Sequence, residues 1–355
     1  VDQRLSHLTN VQILRARKRM GELEYLFNHA LAQEAVYDSI LPAKRKGLHL
    51  KVADAIEKVF SERLHEFYGM LAYHYGRAEH LEKTEVYLIK AGEEALKASA
   101  SSEALHYYRE ALALYTKKYG ELVDPESIAM YERNIALALY HKGQYEDALE
   151  YFDRSLDYYW GKLPTSNLSI ALHFISAFFH FLFALYVPFL KFNKSPSQLD
   201  NRTVDLFYKK CEMLVVLNPK RFFIESFYFL KTVTKFDLKQ LHFGIGIFLG
   251  ASSLFSFTGI SFHLSRKVLS FINKRMYQDN KRLLILFDWI ETIHKYLLGE
   301  WNSISEYDTD LIDHNLSIGK IYDVSQHLYW HGFVCIYQGS FQKAESIIGI
   351  LNEIF

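Results

Sequence analysis

Sixteen histidines and two cysteines are the residues best suited to ligate a metal or act as nucleophiles in this 355-residue chain. His173 and His180 stand seven residues apart and His327 and His331 four apart, so each pair shares a helical face and could grip a metal ion. A closed site needs further ligands, and no acidic or thiol residue is assigned to either pair. Both read as solvated or core-edge histidines, and no metal is expected. Cys211 and Cys335 read as small apolar fillers rather than activated thiols. Two cysteines cannot form a disulfide framework, which points to a reducing compartment and a cytoplasmic location. Gly244, Gly246 and Gly250 invite a dinucleotide-binding reading, but their spacing departs from G-x-G-x-x-G and no strand precedes them; close packing at a helix crossing fits better. No G-x-x-x-x-G-K-[ST] loop is present to cradle nucleotide phosphates. No catalytic or cofactor-binding residue is therefore assigned.

Recognition chemistry is easier to find. The chain holds 27 Phe and 25 Tyr, and helix-pair proteins use most such rings as wedges between helices. Tyr107, Tyr108, Tyr151, Tyr158 and Trp160 are the candidates for a face that binds a protein or peptide. Lys plus Arg and Asp plus Glu each total 41, so no broad basic face exists to release counterions from nucleic acid. The basic runs Arg15 to Arg19 and Lys44 to Lys46 read as a solvated face or a docking surface.

The elements that carry these residues are helices. With six prolines and half of its residues apolar, the chain favours long helices around a sizeable core. From Pro42, the residues Leu48, Val52, Ala55, Ile56 and Val59 recur at helical steps and predict a core-facing stripe. Ser102 and Glu103 open another helix, Asp124, Pro125 and Glu126 cap a third, and Asn218 with Pro219 ends one beginning near Asn201. Gly21 to Phe27 alternates loosely and predicts a short strand or hairpin arm after the basic run. Ile170 to Leu190 lacks Asp, Glu, Lys and Arg and could span about 30 Å of hydrocarbon. His173, Ser176, His180 and Pro188 favour a buried helix instead, and membrane contact stays open as an alternative. Leu241 to Leu264 is similarly uncharged.

Gly259, Gly299 and Gly339 recur at forty residues, which predicts a repeated helix pair with a glycine turn. Ser252, Thr292 and Gly332 precede them by seven residues; Leu264, Ile304 and Ala344 follow by five, and Phe271, Leu311 and Leu351 by twelve. Ala136, Gly143, Tyr145, Ala148, Phe152 and Ser155 repeat the spacing, as do Gly92, Ala104, Tyr108 and Ala111 with Ser99 in place of the turn glycine. These residues, above all His141 to Leu156, resemble the tetratricopeptide repeat. The resemblance implies an all-α solenoid of helix pairs with a groove for peptides or neighbouring domains.

Residues 25 to 57 carry a second resemblance. Phe27, His29, Ala30, Leu31, Gln33, Glu34, Tyr37, Ser39 and Ile40, then Leu48, His49, Ala53, Ala55 and Glu57, are similar to a phrase in bacterial signalling ATPases joined to class III adenylate/guanylate cyclase or kinase domains. In that family the phrase closes a winged-helix-like part of the ATPase module and leads into helical repeats. The resemblance implies three regions: residues 1–60 end the ATPase module, 61–160 are tetratricopeptide-like repeats, and 161–355 are divergent repeats of about forty residues. It further implies a sensor and scaffold region that binds protein or peptide partners and its own upstream module, which alone would hold ATP and Mg²⁺. The lack of an initiator Met and the end at Phe355 within a helical pattern also suggest a piece of a longer polypeptide. A stand-alone adaptor without a switching role is the alternative.

Overall fold

The computed structural model describes residues 2–19, 22–164, 166–187, 194–241, 243–275 and 280–354. The chain divides into two compact units, Val1–Tyr151 and Phe152–Phe355. Helices dominate both, and the two strands lie near the start, so the fold is all-α and built of tetratricopeptide-like helix pairs.

In the first unit α1 (Asp2–Asn10) leads into an antiparallel hairpin of β1 (Leu14–Arg19) and β2 (Glu22–Phe27). The arm expected at Gly21 to Phe27 is β2, and the basic run that precedes it is its partner strand. Alternation lets β1 bury Leu14 while Arg17 reaches across the register to Glu24, Nε to Oε2 2.9 Å. Gly21 lies outside the described residues.

There follow α2 (Ala30–Ser39), α3 (Pro42–Val59), α4 (Tyr68–Arg77), α5 (Leu81–Lys97), α6 (Ser101–Tyr119) and α7 (Pro125–His141), while α8 (Tyr145–Trp160) spans the division. From α3 onward each helix to α7 packs on the next. Pro42 and Pro125 occupy first turns, and the Asp124 carboxylate accepts the Ser127 amide at 2.9 Å, as the capping signals predict. Gly143 turns the chain with φ +79°, and Ser99 adopts the same left-handed region at φ +60° in the equivalent turn. At Gly92 a Cβ would lie 2.4 Å from the Tyr108 ring, so its absence sets the approach of α5 to α6.

The second unit contains α9 (Asn167–Tyr186), α10 (Gln198–Leu217), α11 (Pro219–Val233), α12 (Gly244–Thr258), α13 (Phe262–Asn273), α14 (Lys281–Leu298), α15 (Thr309–Ser317), α16 (Ile321–Tyr337) and α17 (Phe341–Ile354). Helix α10 starts three residues earlier than predicted because Ser197 and Asp200 form a capping box; Asn218 caps α11. Phe181, Phe227, Phe248 and Phe255 meet in its core. Buried Lys210 sits between Asp153 at 2.7 Å and Glu225 at 2.5 Å, with Arg221 closing the charge balance and tying α8, α10 and α11 together. A buried cation of this kind is tolerated only when paired.

The three periodic glycines all adopt positive φ, at +66°, +78° and +74°. After Gly259 and Gly339 a helix begins within three residues. After Gly299 a 3-10 turn and a coil intervene, and α15 starts only at Thr309. Ile304 therefore lies outside a helix, and its column does not align with Leu264 and Ala344. Gly244 and Gly246 are close approaches, since a Cβ would meet the Leu238 carbonyl at 2.7 Å and Leu286 at 3.1 Å; Gly250 faces open space.

Candidate functional site

Helix α3 buries Ile56 of its predicted stripe but otherwise a different face from the one its periodicity predicts. Leu48, Val52 and Val59 are 41, 41 and 68 % exposed and Ala55 is exposed, whereas His49, Ala53 and Ile56 are buried. One residue is about 100° of helix, and the buried face sits one residue away from the apolar stripe. Packing decided this. Ala53 is small enough for α4 to come close beside Leu71 and Tyr75, and polar residues of α3 anchor the neighbours on that side.

Those anchors come from the phrase at residues 25–57. The Tyr37 hydroxyl of α2 lies 3.0 Å from His49 Nε2, and His49 Nδ1 lies 2.8 Å from His74 Nδ1 on α4, so one ring donates and the other accepts. Burial lowers the pKa of both imidazoles, with the Arg77 charge adding to the effect at His49 and the His49 charge at His74. Glu57 accepts from Lys83 Nζ at 2.7 Å and from the Tyr87 hydroxyl; Lys83 also bonds Tyr75, which donates to Asp54 at 3.0 Å. Burial raises the Glu57 carboxyl, but the hydrogen bonds from Lys83 and Tyr87 and the Lys83 charge outweigh it and hold the group below its ordinary value. Tyr37, His49 and Glu57 thus clamp α2, α3, α4 and α5.

The result is an uncovered apolar seam. Leu48, Val52, Ala55 and Val59 follow the 4-3-4 spacing of a helix–helix contact, with Leu41 one heptad before Leu48. Lys44, Lys51 and Lys58 run beside it at seven-residue steps, and none pairs with a carboxylate among the described residues. Arg45 and Lys46 are spoken for by Asp38 and Glu79. Helix α2 buries no residue and exposes Leu31 and Val36. A covering partner would take their remaining apolar surface out of water, at about 25 cal/mol per Å².

The aromatic candidates scatter. Tyr108 is 2 % exposed and belongs to the core, which corrects its assignment to a binding face. Trp160 packs on Phe207 and Phe229 at 4.9 and 5.9 Å between ring centroids, a wedge in the second unit. Tyr107 is half-buried, stands over Gly69 and donates to Glu103. Tyr151 is half-buried, and Tyr158 is exposed with its edge against Tyr159. Buried Tyr108 cannot share an exposed face with the other four. The seam residues were visible in the sequence but assigned to the core.

His173 is exposed and bonds the Ser169 carbonyl within its own helix. His327 and His331, by contrast, are buried and meet Asp288 of α14. Asp288 is 39 residues from His327 in sequence, beyond the reach of helical spacing. Cys335, four residues beyond His331, packs with an apolar cluster instead. Burial pushes the Asp288 carboxyl up, but the two histidines beside it hold it well below the usual carboxylate range. Burial pushes both cysteine thiols up, most strongly at Cys211.

A tetratricopeptide repeat family model matches residues 133–159, the end of α7 and most of α8. That stretch is a tetratricopeptide-type repeat. No curated protein matches the chain. Among solved structures the chain is similar to Ton1535 from Thermococcus onnurineus NA1, at 12 % identity over 99 % of this chain and 96 % of that one, with a TM-score of 0.25. A likeness of that degree carries no argument about function.

Proposed function

We propose that the chain is a protein-interaction scaffold whose α3 seam docks the nucleotide-binding module of a bacterial signalling ATPase carried on the same polypeptide. The observation that carries this reading is the exposed row Leu48, Val52, Ala55 and Val59 flanked by Lys44, Lys51 and Lys58, which pair with no carboxylate among the described residues. Such a row suits an amphipathic helix with an acidic edge. Its place in the phrase similar to the junction of signalling ATPases supports that module as the occupant. A ligand on the helix pairs would act on the module and its cyclase or kinase output only by favouring one docked arrangement, with a coupling of about 1–3 kcal/mol as the usual scale.

The test is a photocrosslinking residue at Val52 in the full-length protein, followed by mass spectrometry. A crosslink to a segment of the same polypeptide bearing a phosphate-loop motif is expected. Crosslinks confined to other proteins would replace this reading with a stand-alone adaptor, and no crosslink at all would remove the seam as a docking site.

A further inference from the structure

We infer that Asp288, His327 and His331 form a binding site for one late first-row divalent cation, of which Zn²⁺ is the natural occupant. His327 and His331 stand one turn apart on α16, and Asp288 reaches them from α14. His327 Nδ1 and His331 Nε2 each lie 3.1 Å from the same carboxylate oxygen, Asp288 Oδ2. A metal bonded at about 2.0–2.2 Å to neighbouring ligands holds them roughly 3.0–3.5 Å apart, so these spacings match a ligand set. All three ligand atoms lie within 4.8 Å of one another.

The second observation is His327 itself. Its side chain is 1 % exposed, yet among the described residues neither ring nitrogen has a hydrogen-bond partner. Nδ1 stands 3.1 Å from Asp288 Oδ2 without the alignment of a hydrogen bond, so a deeply buried imidazole is left to a carboxylate contact alone. Buried polar atoms are nearly always satisfied, and a cation shared with Asp288 and His331 would satisfy this ring. Two imidazoles and one carboxylate suit Zn²⁺, Co²⁺ or Ni²⁺ and are a poor set for Ca²⁺ or Mg²⁺, which demand more oxygen. Asp288 keeps its side chain 37 % exposed, which gives an entry path and a side on which water completes the coordination. The histidines are otherwise packed beside Val324 and Leu328 on the same buried face of α16. Bound there, the ion would staple α14 to α16, helices already in contact.

Co²⁺ is the probe, because its visible absorption reports coordination by imidazole and carboxylate independently of any activity. Titrating the metal-free full chain should give one saturable equivalent with a visible band, displaced by Zn²⁺, and Zn²⁺ should raise the urea midpoint. Asp288→Asn, which keeps the side-chain shape, should weaken Co²⁺ binding at least tenfold, and His331→Gln should abolish the band. His173→Gln, at an exposed histidine, should change neither. Circular dichroism separates ligand loss from unfolding in the variants. Absence of the single equivalent in the unaltered chain would overturn the site. So would a band of full intensity in folded Asp288→Asn and His331→Gln.

Discussion

Tyr37, His49 and Glu57 show how a motif can be conspicuous in a sequence for structural reasons. Each looks like chemistry in isolation, and each instead spans two helices. Glu57 offers the sharpest test: Glu57→Ala removes the carboxylate that accepts from the Lys83 ammonium and the Tyr87 hydroxyl, which should cost about 1–3 kcal/mol in a urea titration. The histidine pair predicts a pH dependence. His49 and His74 have folded pKa values below the ordinary 6.5, so the unfolded chain takes up protons first as the pH falls. Their contribution is complete above pH 6.5 and is lost as the pH drops from there through the folded values. Urea midpoints measured from pH 7.5 to 5.5 should decline, and His49→Gln should flatten the decline. His294, lowered in the same direction by burial, keeps some slope in that variant. At this scale the sequence marked the right residues at 25–57 but not their partners, because His74, Lys83 and Tyr87 come from helices that only folding brings alongside.

Turns and helix pairs were more legible. The left-handed turn between helices was announced by Gly143, Gly259, Gly299 and Gly339, and even the exception at Ser99 holds the same backbone region. A serine there carries a cost that glycine does not, so Ser99→Gly should raise stability by roughly 1 kcal/mol. Gly143→Ala should lower it by a similar amount in the same urea assay. Ala148 is wholly buried on α8, and Ala148→Trp should cost about 1–3 kcal/mol by overpacking, while exposed Lys142→Ala stays within about 0.5 kcal/mol. Equal midpoints for these two variants would refute the helix-pair register. What the sequence could not reveal was the face of α3 that packs. Hydrophobic periodicity identifies the more apolar side; close approach favoured the side with Ala53, and the apolar side was left for something else.

Across the chain, two uncharged segments that look alike in sequence have different fates. Helix α12 is buried nearly throughout. Helix α9, with a mean hydropathy of 2.0 over its most apolar window, is long and apolar enough to cross a membrane by length and composition, and only 22 % of that window is buried. Leu168, Leu172, Ile175, Phe179 and Phe183 lie exposed along it at steps of four, three, four and four. Pro188 to Leu190, the end of the uncharged stretch, lie outside the described residues. Polar His173, Ser176 and His180 within α9 lead us to expect that carbonate extraction releases the expressed chain; retention in the pellet would place α9 in the bilayer instead. The sequence by itself determined that this protein is helical, that its helices pair across left-handed turns, and where a tetratricopeptide-type repeat lies, because propensity, capping and period are local properties. The tertiary structure decided which faces are buried, that Asp288 joins His327 and His331, and that Tyr108 and Trp160 are wedges. Those outcomes depend on which distant helices meet, and a linear pattern of apolar residues does not contain that information.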